Sequence, residues 1–135
     1  MPYYVIEKTI DALNQKEKSL KGSSILVLGV AYKKDIDDDR ESPGYTIMKM
    51  LLEKGALVSY NDPWVPMLKK SRKYNFQMKS TPITPEMLRE MDAVVILADH
   101  SAYDYAEIVK HSNMIIDTRN ATSKIDGADE KIFFA

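Results

Sequence analysis

Apolar residues recur along this chain with two distinct periods, and the alternation between them predicts the elements. Between residues 2 and 18, Ile6, Ile10 and Leu13 fall at helical spacing behind Pro2, while Glu7, Lys8, Asp11, Lys16 and Lys18 occupy the other faces. Lys21-Gly22-Ser23 ends that helix. Residues 25–28 form a continuous apolar run of the kind buried on both faces of a parallel sheet. A second helix opens at Ser42-Pro43, with Ser42 as its cap and Ile47, Met50 and Leu51 as its inward stripe, and Gly55 stops it. Residues 57–60 form a second strand, closed by Asn61-Asp62-Pro63. Beyond it the pattern predicts a weak strand at 76–78, a helix at 85–91 capped by Thr84, and a buried strand at 93–98. A helix at 105–110, a strand at 114–116 and an edge strand at 132–134 complete the series. Strands alternating with helices at this spacing predict an α/β fold: a Rossmann-like, doubly wound parallel sheet in three α/β/α layers, preceded by one helix.

Composition narrows the class. With 135 residues, 44% hydrophobic and 29% charged, the chain fits one soluble domain able to bury a sizeable core. A net charge of -1 gives no electrostatic reason to expect nucleic acid or an anionic membrane as partner. No apolar run approaches the roughly 18 residues of a membrane span and no signal peptide opens the chain, so a cytoplasmic location is expected. Cysteine is absent, which excludes disulfides, thiolate metal sites and a cysteine nucleophile within this sequence.

In an open α/β sheet, ligands bind outside the carboxyl ends of the strands. The residues that follow each strand are therefore the candidates. After the first come Tyr32, Lys33 and Arg40, in a connection of about a dozen residues that also carries Lys34 and five carboxylates. Most such connections take only about 2 to 6 residues. After the second strand come Asn61 and Asp62, after the next strong one Asp99 and His100, and after the strand at 114–116 Asp117, Arg119 and Asn120. Two arginines and a lysine on one rim would suit an anionic ligand such as a diphosphate, and a tyrosine beside them could stack on a base or sugar. Each has a plainer reading. Lys33 and Lys34 as solvated charges, Arg40 paired with Glu41, Arg119 as a turn residue beside Asp117, and Asp62-Pro63 as a strand end are all compatible with the spacing.

Two sharper motifs fail on the letters. Asp35, Asp37 and Asp39 imitate a calcium loop, but Arg40 and Thr46 stand where that loop needs glycine and glutamate, so no metal site is assigned. Gly29-Val30-Ala31-Tyr32-Lys33-Lys34 keeps only the first glycine of a dinucleotide fingerprint.

The segments "ILVLGVAYKKDIDDDRESP", "LLEKGA", "SYNDPWVP", "DAVVILADHSAYDY" and "IIDTRN" resemble the C-terminal, UDP-sugar-binding domain of the UDP-glucose/GDP-mannose dehydrogenase family, over essentially the whole chain. The wording is most similar to members that oxidise UDP-N-acetylhexosamines. The resemblance implies an NAD-dependent UDP-sugar 6-dehydrogenase, which turns a primary alcohol at sugar C6 into a carboxylate in two oxidations. It further implies that NAD is bound mainly by an N-terminal Rossmann domain, that a central helical region makes dimer contacts, and that a cysteine holds the covalent intermediates. Residues 1–20 are then the end of the central linking helix and residues 21–135 the UDP-sugar-binding domain. The expected partners are a UDP-sugar, the N-terminal half of the enzyme and, when intact, a second copy. The resemblance implies that Tyr32 and Lys33 meet the UDP-sugar, that Arg119 also meets it, and that Arg40 reaches the NAD; no catalytic residue falls in this sequence. Tyr32 replaces a frequent phenylalanine and Asn120 replaces a second basic residue of some members. On this reading the chain alone is inactive, and its first helix, whose Ile6, Ile10 and Leu13 stripe would face the other half, is poorly anchored or paired with another copy. A free-standing nucleotide-binding or scaffolding module is the alternative.

Overall fold

A computed structural model describes residues 2–30, 43–68, 78–125 and 130–135. Five parallel strands form the central sheet in the order β2-β1-β5-β6-β7: β1 (Ser24–Leu28), β2 (Leu57–Asn61), β5 (Ala93–Ile96), β6 (Ile115–Asp117) and β7 (Ile132–Phe134). Their residues point alternately to two faces, and each face has its own helices. Ile25, Val27, Ala93, Val95 and Ile116 pack under α1 (Pro2–Gln15) and α2 (Pro43–Glu53). Leu26, Leu28, Val94, Ile96 and Ile115 pack under α3 (Pro85–Glu90) and α4 (Tyr105–His111). This is the three-layer, doubly wound arrangement that the apolar runs predict.

The local signals also hold. Thr84 adopts an extended conformation and its hydroxyl accepts from Met87 N at 3.1 Å, capping α3 with Pro85 at the first position. Asp104 caps α4 through Glu107 N at 3.2 Å. Gly55 ends α2 with φ of +90°.

Two expectations are corrected. Of the weak strand expected at 76–78, residues 76 and 77 lie outside the described residues, and Met78 opens β4 (Met78–Lys79), which pairs antiparallel with β3 (Met67–Leu68) in a ribbon of its own, outside the main sheet. The first helix is not poorly anchored. α1 lies on α2, β5 and β6 of its own domain, with Val5, Ile6, Thr9, Ala12 and Leu13 buried. Ile10, expected in the inward stripe, is partly exposed instead. The buried face turns on small and polar residues: Ala12 allows close approach, and the Thr9 hydroxyl donates to Val5 O at 2.8 Å, which satisfies it within the core.

Winding reverses at β1. β2 lies on one side of it and β5, β6 and β7 follow on the other, so the carboxyl ends of β1 and β5 mark the switch point where ligand crevices form. There the strands are pressed together: Leu97 N and Ala98 N both donate to Leu28 O, at 2.9 and 3.3 Å. Gly29, with φ of +89°, makes this approach possible, because a Cβ there would sit 2.5 Å from the Ala98 Cβ.

Candidate functional site

Arg119 stands at the carboxyl edge as the sequence predicts, and the turn that carries it is built by the preceding acid. Asp117 closes β6 with its side chain buried. Its Oδ1 accepts from Arg119 N at 2.9 Å and Ala121 N at 3.2 Å, while Oδ2 accepts from Thr122 N at 2.8 Å and Thr122 Oγ1 at 2.6 Å. Asn120 takes the left-handed conformation, φ 60°, that lets the chain reverse, a conformation asparagine tolerates better than most residues. Thr118 fastens the turn to β5, its N–H and hydroxyl both donating to Ile96 O at 3.2 and 2.7 Å.

A cleft of about 470 Å³ opens above this turn, lined by Asp99, Asp117, Thr118, Arg119, Asn120, Phe134 and Ala135. Arg119 Nε lies 3.8 Å from Asp99 Oδ1, too far for a good hydrogen bond, and the Arg119 side chain is 41% exposed. The arrangement offers an anion a planar donor fork facing the cleft, with a carboxylate opposite that could accept from hydroxyl groups. The plainer reading of Arg119 as a turn residue is half right: its backbone bonds to Asp117, but its side chain faces Asp99.

Beside the cleft, at the switch point, sits a buried polar cluster. Asp62 Oδ2 lies 3.1 Å from His100 Nε2, with both side chains out of contact with solvent. The same oxygen accepts from Val30 N at 2.8 Å, and Oδ1 accepts from Trp64 N at 2.8 Å. Tyr103 donates to Asn61 O at 2.7 Å and Tyr105 to His100 O at 2.9 Å. Burial, then the nearby charge of Asp62, pushes the Tyr103 phenol well above its ordinary value, so it remains a proton donor to Asn61. Asn61 turns its own amide to Thr81 O at 2.7 Å, toward the ribbon side. His100 and Asn61 therefore serve the architecture of the edge.

Tyr32, Lys33 and Arg40 lie outside the described residues, as do Lys34 and the acidic positions beside them. Of the residues assigned to the ligand, Arg119 alone falls among those described. Thr118, Thr122, Phe134 and Ala135 carry no sequence signal, since they join the turn and the cleft through the pairing of β6 with β5 and β7. Among the described residues no cluster of three or more His, Asp or Glu could hold a metal ion, and no helix is long and apolar enough to cross a membrane.

Comparison with known proteins identifies the family and the fold. Residues 26–124 match the model of the UDP-glucose/GDP-mannose dehydrogenase family, UDP binding domain. A UDP-N-acetyl-D-mannosamine dehydrogenase of Methanococcus maripaludis is 33% identical over 128 residues, covering 89% of this chain and 27% of the relative. A UDP-glucose 6-dehydrogenase of Rickettsia bellii is 34% identical over 127 residues, covering 88% of this chain and 28% of its own length. A solved NDP-N-acetyl-D-galactosaminuronic acid dehydrogenase of Methanosarcina mazei superposes with a TM-score of 0.75 at 29% identity, over 99% of this chain and 28% of that one. The chain thus spans little more than a quarter of the length of the relatives it matches.

Proposed function

The chain belongs to the UDP-glucose/GDP-mannose dehydrogenase family, and from that premise we propose that it is the substrate-binding, C-terminal part of an NAD-dependent UDP-sugar 6-dehydrogenase. Arg119 is the cation that meets the nucleotide sugar at the carboxyl edge. Tyr32 and Lys33, which follow β1, meet the same ligand, and Arg40 reaches NAD held mainly by the N-terminal half. The observation that carries this reading is the Arg119 cleft, found at the edge of the sheet where this fold binds its ligands.

The division of labour follows from the residues. Residues 1–20 are the end of the segment leading in from the N-terminal half. In this chain α1 also forms a wall of the core, so the linking segment and the binding domain share one packing unit. Residues 21–135 supply substrate contacts and leave hydride transfer to the other half. The 135-residue sequence has no cysteine, so the thiol that holds the thiohemiacetal and thioester intermediates comes from elsewhere in the enzyme. UDP-glucose and UDP-N-acetylhexosamines are the substrate candidates, and the intact enzyme works as an oligomer.

Calorimetric titration of the 135-residue protein with UDP, alongside an assay for NAD reduction with UDP-glucose and UDP-N-acetylglucosamine, tests the proposal. Saturable UDP binding with no NAD reduction is expected. A protein that ignores UDP, or one that turns over by itself, refutes it.

A further inference from the structure

We infer that Asp117 is a positioning residue for nucleotide-sugar binding that acts through Arg119, an inference resting on the assignment of Arg119 to the ligand. Asp117 lines the cleft, yet the four hydrogen bonds that its carboxylate makes among the described residues run to donors within its own turn: the amides of Arg119, Ala121 and Thr122 and the Thr122 hydroxyl, between 2.6 and 3.2 Å. A carboxylate engaged in this way has little capacity left to accept from a ligand. It is also buried, and a buried charge is costly unless such donors surround it. What the acid specifies is therefore a shape. The turn leaves β6, is fastened to β5 through Thr118, reverses at Asn120, and returns to the same carboxylate at Thr122.

Arg119 lies between the two fastenings. Its amide is held by Asp117, which sets where the Cα sits and hence where the guanidinium enters the cleft opposite Asp99. Asparagine at 117 would keep one acceptor oxygen but turn an NH2 group toward either the Arg119 and Ala121 amides or the Thr122 donors. The turn would then relax while the strand could persist. The Thr122 hydroxyl makes the shortest of the four bonds and is the second lever on the same geometry.

The test uses UDP as the probe, with calorimetry for affinity and urea unfolding for stability, on Asp117→Asn, Thr122→Val and Thr122→Ser. About tenfold weaker UDP binding is expected for Asp117→Asn and about threefold for Thr122→Val, with Thr122→Ser close to wild type. With Arg119→Ala already in place, neither substitution should weaken binding further, a coupling that a merely structural turn would not show. Leu88→Ala, buried on the opposite side of the sheet from α1 and α2, should lower the urea midpoint without altering UDP affinity. Should Asp117→Asn fail to fold, the two threonine variants decide alone. Wild-type affinity in Thr122→Val and Asp117→Asn, or undiminished losses in the Arg119→Ala background, would overturn the inference and leave the UDP-binding assignment standing. Absence of UDP binding by the wild-type protein would overturn both.

Discussion

The Asp62 carboxylate and the His100 imidazole meet 3.1 Å apart, fully buried, across the carboxyl edge of the sheet. The residues are 38 positions apart in sequence, one following β2 and the other β5. Because the same carboxylate accepts from Val30 N beyond β1, one side chain ties the ends of three adjacent strands. Any ligand bound at this edge rests against a frame that this contact holds together.

Replacing Asp62 with alanine should consequently be among the more damaging single changes here. Each buried donor left without a partner costs about 1 to 3 kcal/mol, and Val30 N is fully enclosed, so a loss above about 2 kcal/mol is expected. Asp62→Asn should be milder, since one oxygen can still accept. Urea denaturation of the three proteins gives the comparison. An alanine variant with the wild-type midpoint would mean that water fills the vacated position.

Gly29→Ala should destabilise as strongly for a different reason. The left-handed backbone costs a residue with a Cβ about 1 to 2 kcal/mol, and the new methyl group would press on Ala98, itself backbone-bonded to Leu28. Overpacking of this kind adds about 1 to 3 kcal/mol. Gly22→Ala has a similar φ but nothing within 4 Å of the added atom, so it isolates the backbone contribution. Thermal melts of both variants should rank Gly29→Ala well below Gly22→Ala.

How much of this was legible in the sequence depended on range. The runs at 25–28 and 93–96 announce buried parallel strands because both faces are apolar, and Thr84-Pro85 and Gly55 mark helix ends by chemistry confined to a few residues. The pairing of β3 with β4 was not legible, since two-residue strands have no period to read and their partner is chosen by tertiary contact. The inward face of α1 was misjudged at Ile10 because Thr9 and Ala12, polar and small, take core positions that an apolar stripe does not reveal. At the site, Arg119 was visible from its place after a strand. The Asp62–His100 pair was visible only as two letters, because what joins them is strand order.

Acid should loosen the opposite, amino-end edge through Asp92. Burial raises this carboxyl, but the Lys18 ammonium and the Ser24 amide outweigh it, and the folded value lies below the usual one of 3.8. A depressed folded value means that the contribution is complete above the unfolded value and is lost as pH falls through the folded one. The expected window is therefore below about pH 4, where Asp92 protonates and releases Lys18 and Ser24. Asp92→Asn should be less stable at neutral pH and should lose less on acidification than the wild type. Parallel stability–pH curves for the two proteins would rule out this role.

Arg119 offers the most direct test of the candidate site. Its side chain is 41% exposed and makes no close pair among the described residues, so Arg119→Ala should leave the fold and its urea midpoint nearly unchanged. Charge-assisted hydrogen bonds to a diphosphate or sugar are worth roughly 1.5 to 3 kcal/mol, so UDP affinity should fall about tenfold to a hundredfold. Arg119→Lys should recover little of the loss, because an ammonium keeps the charge but not the planar pair of donors. The wild-type affinity should also weaken as salt is raised, and the alanine variant should show a shallower salt dependence, since one of the charges being screened is gone. Calorimetry with UDP at two ionic strengths separates these outcomes. If the alanine and lysine variants both bind UDP as tightly as the wild type, the nucleotide does not reach this end of β6, and the site must be sought elsewhere along the carboxyl edge.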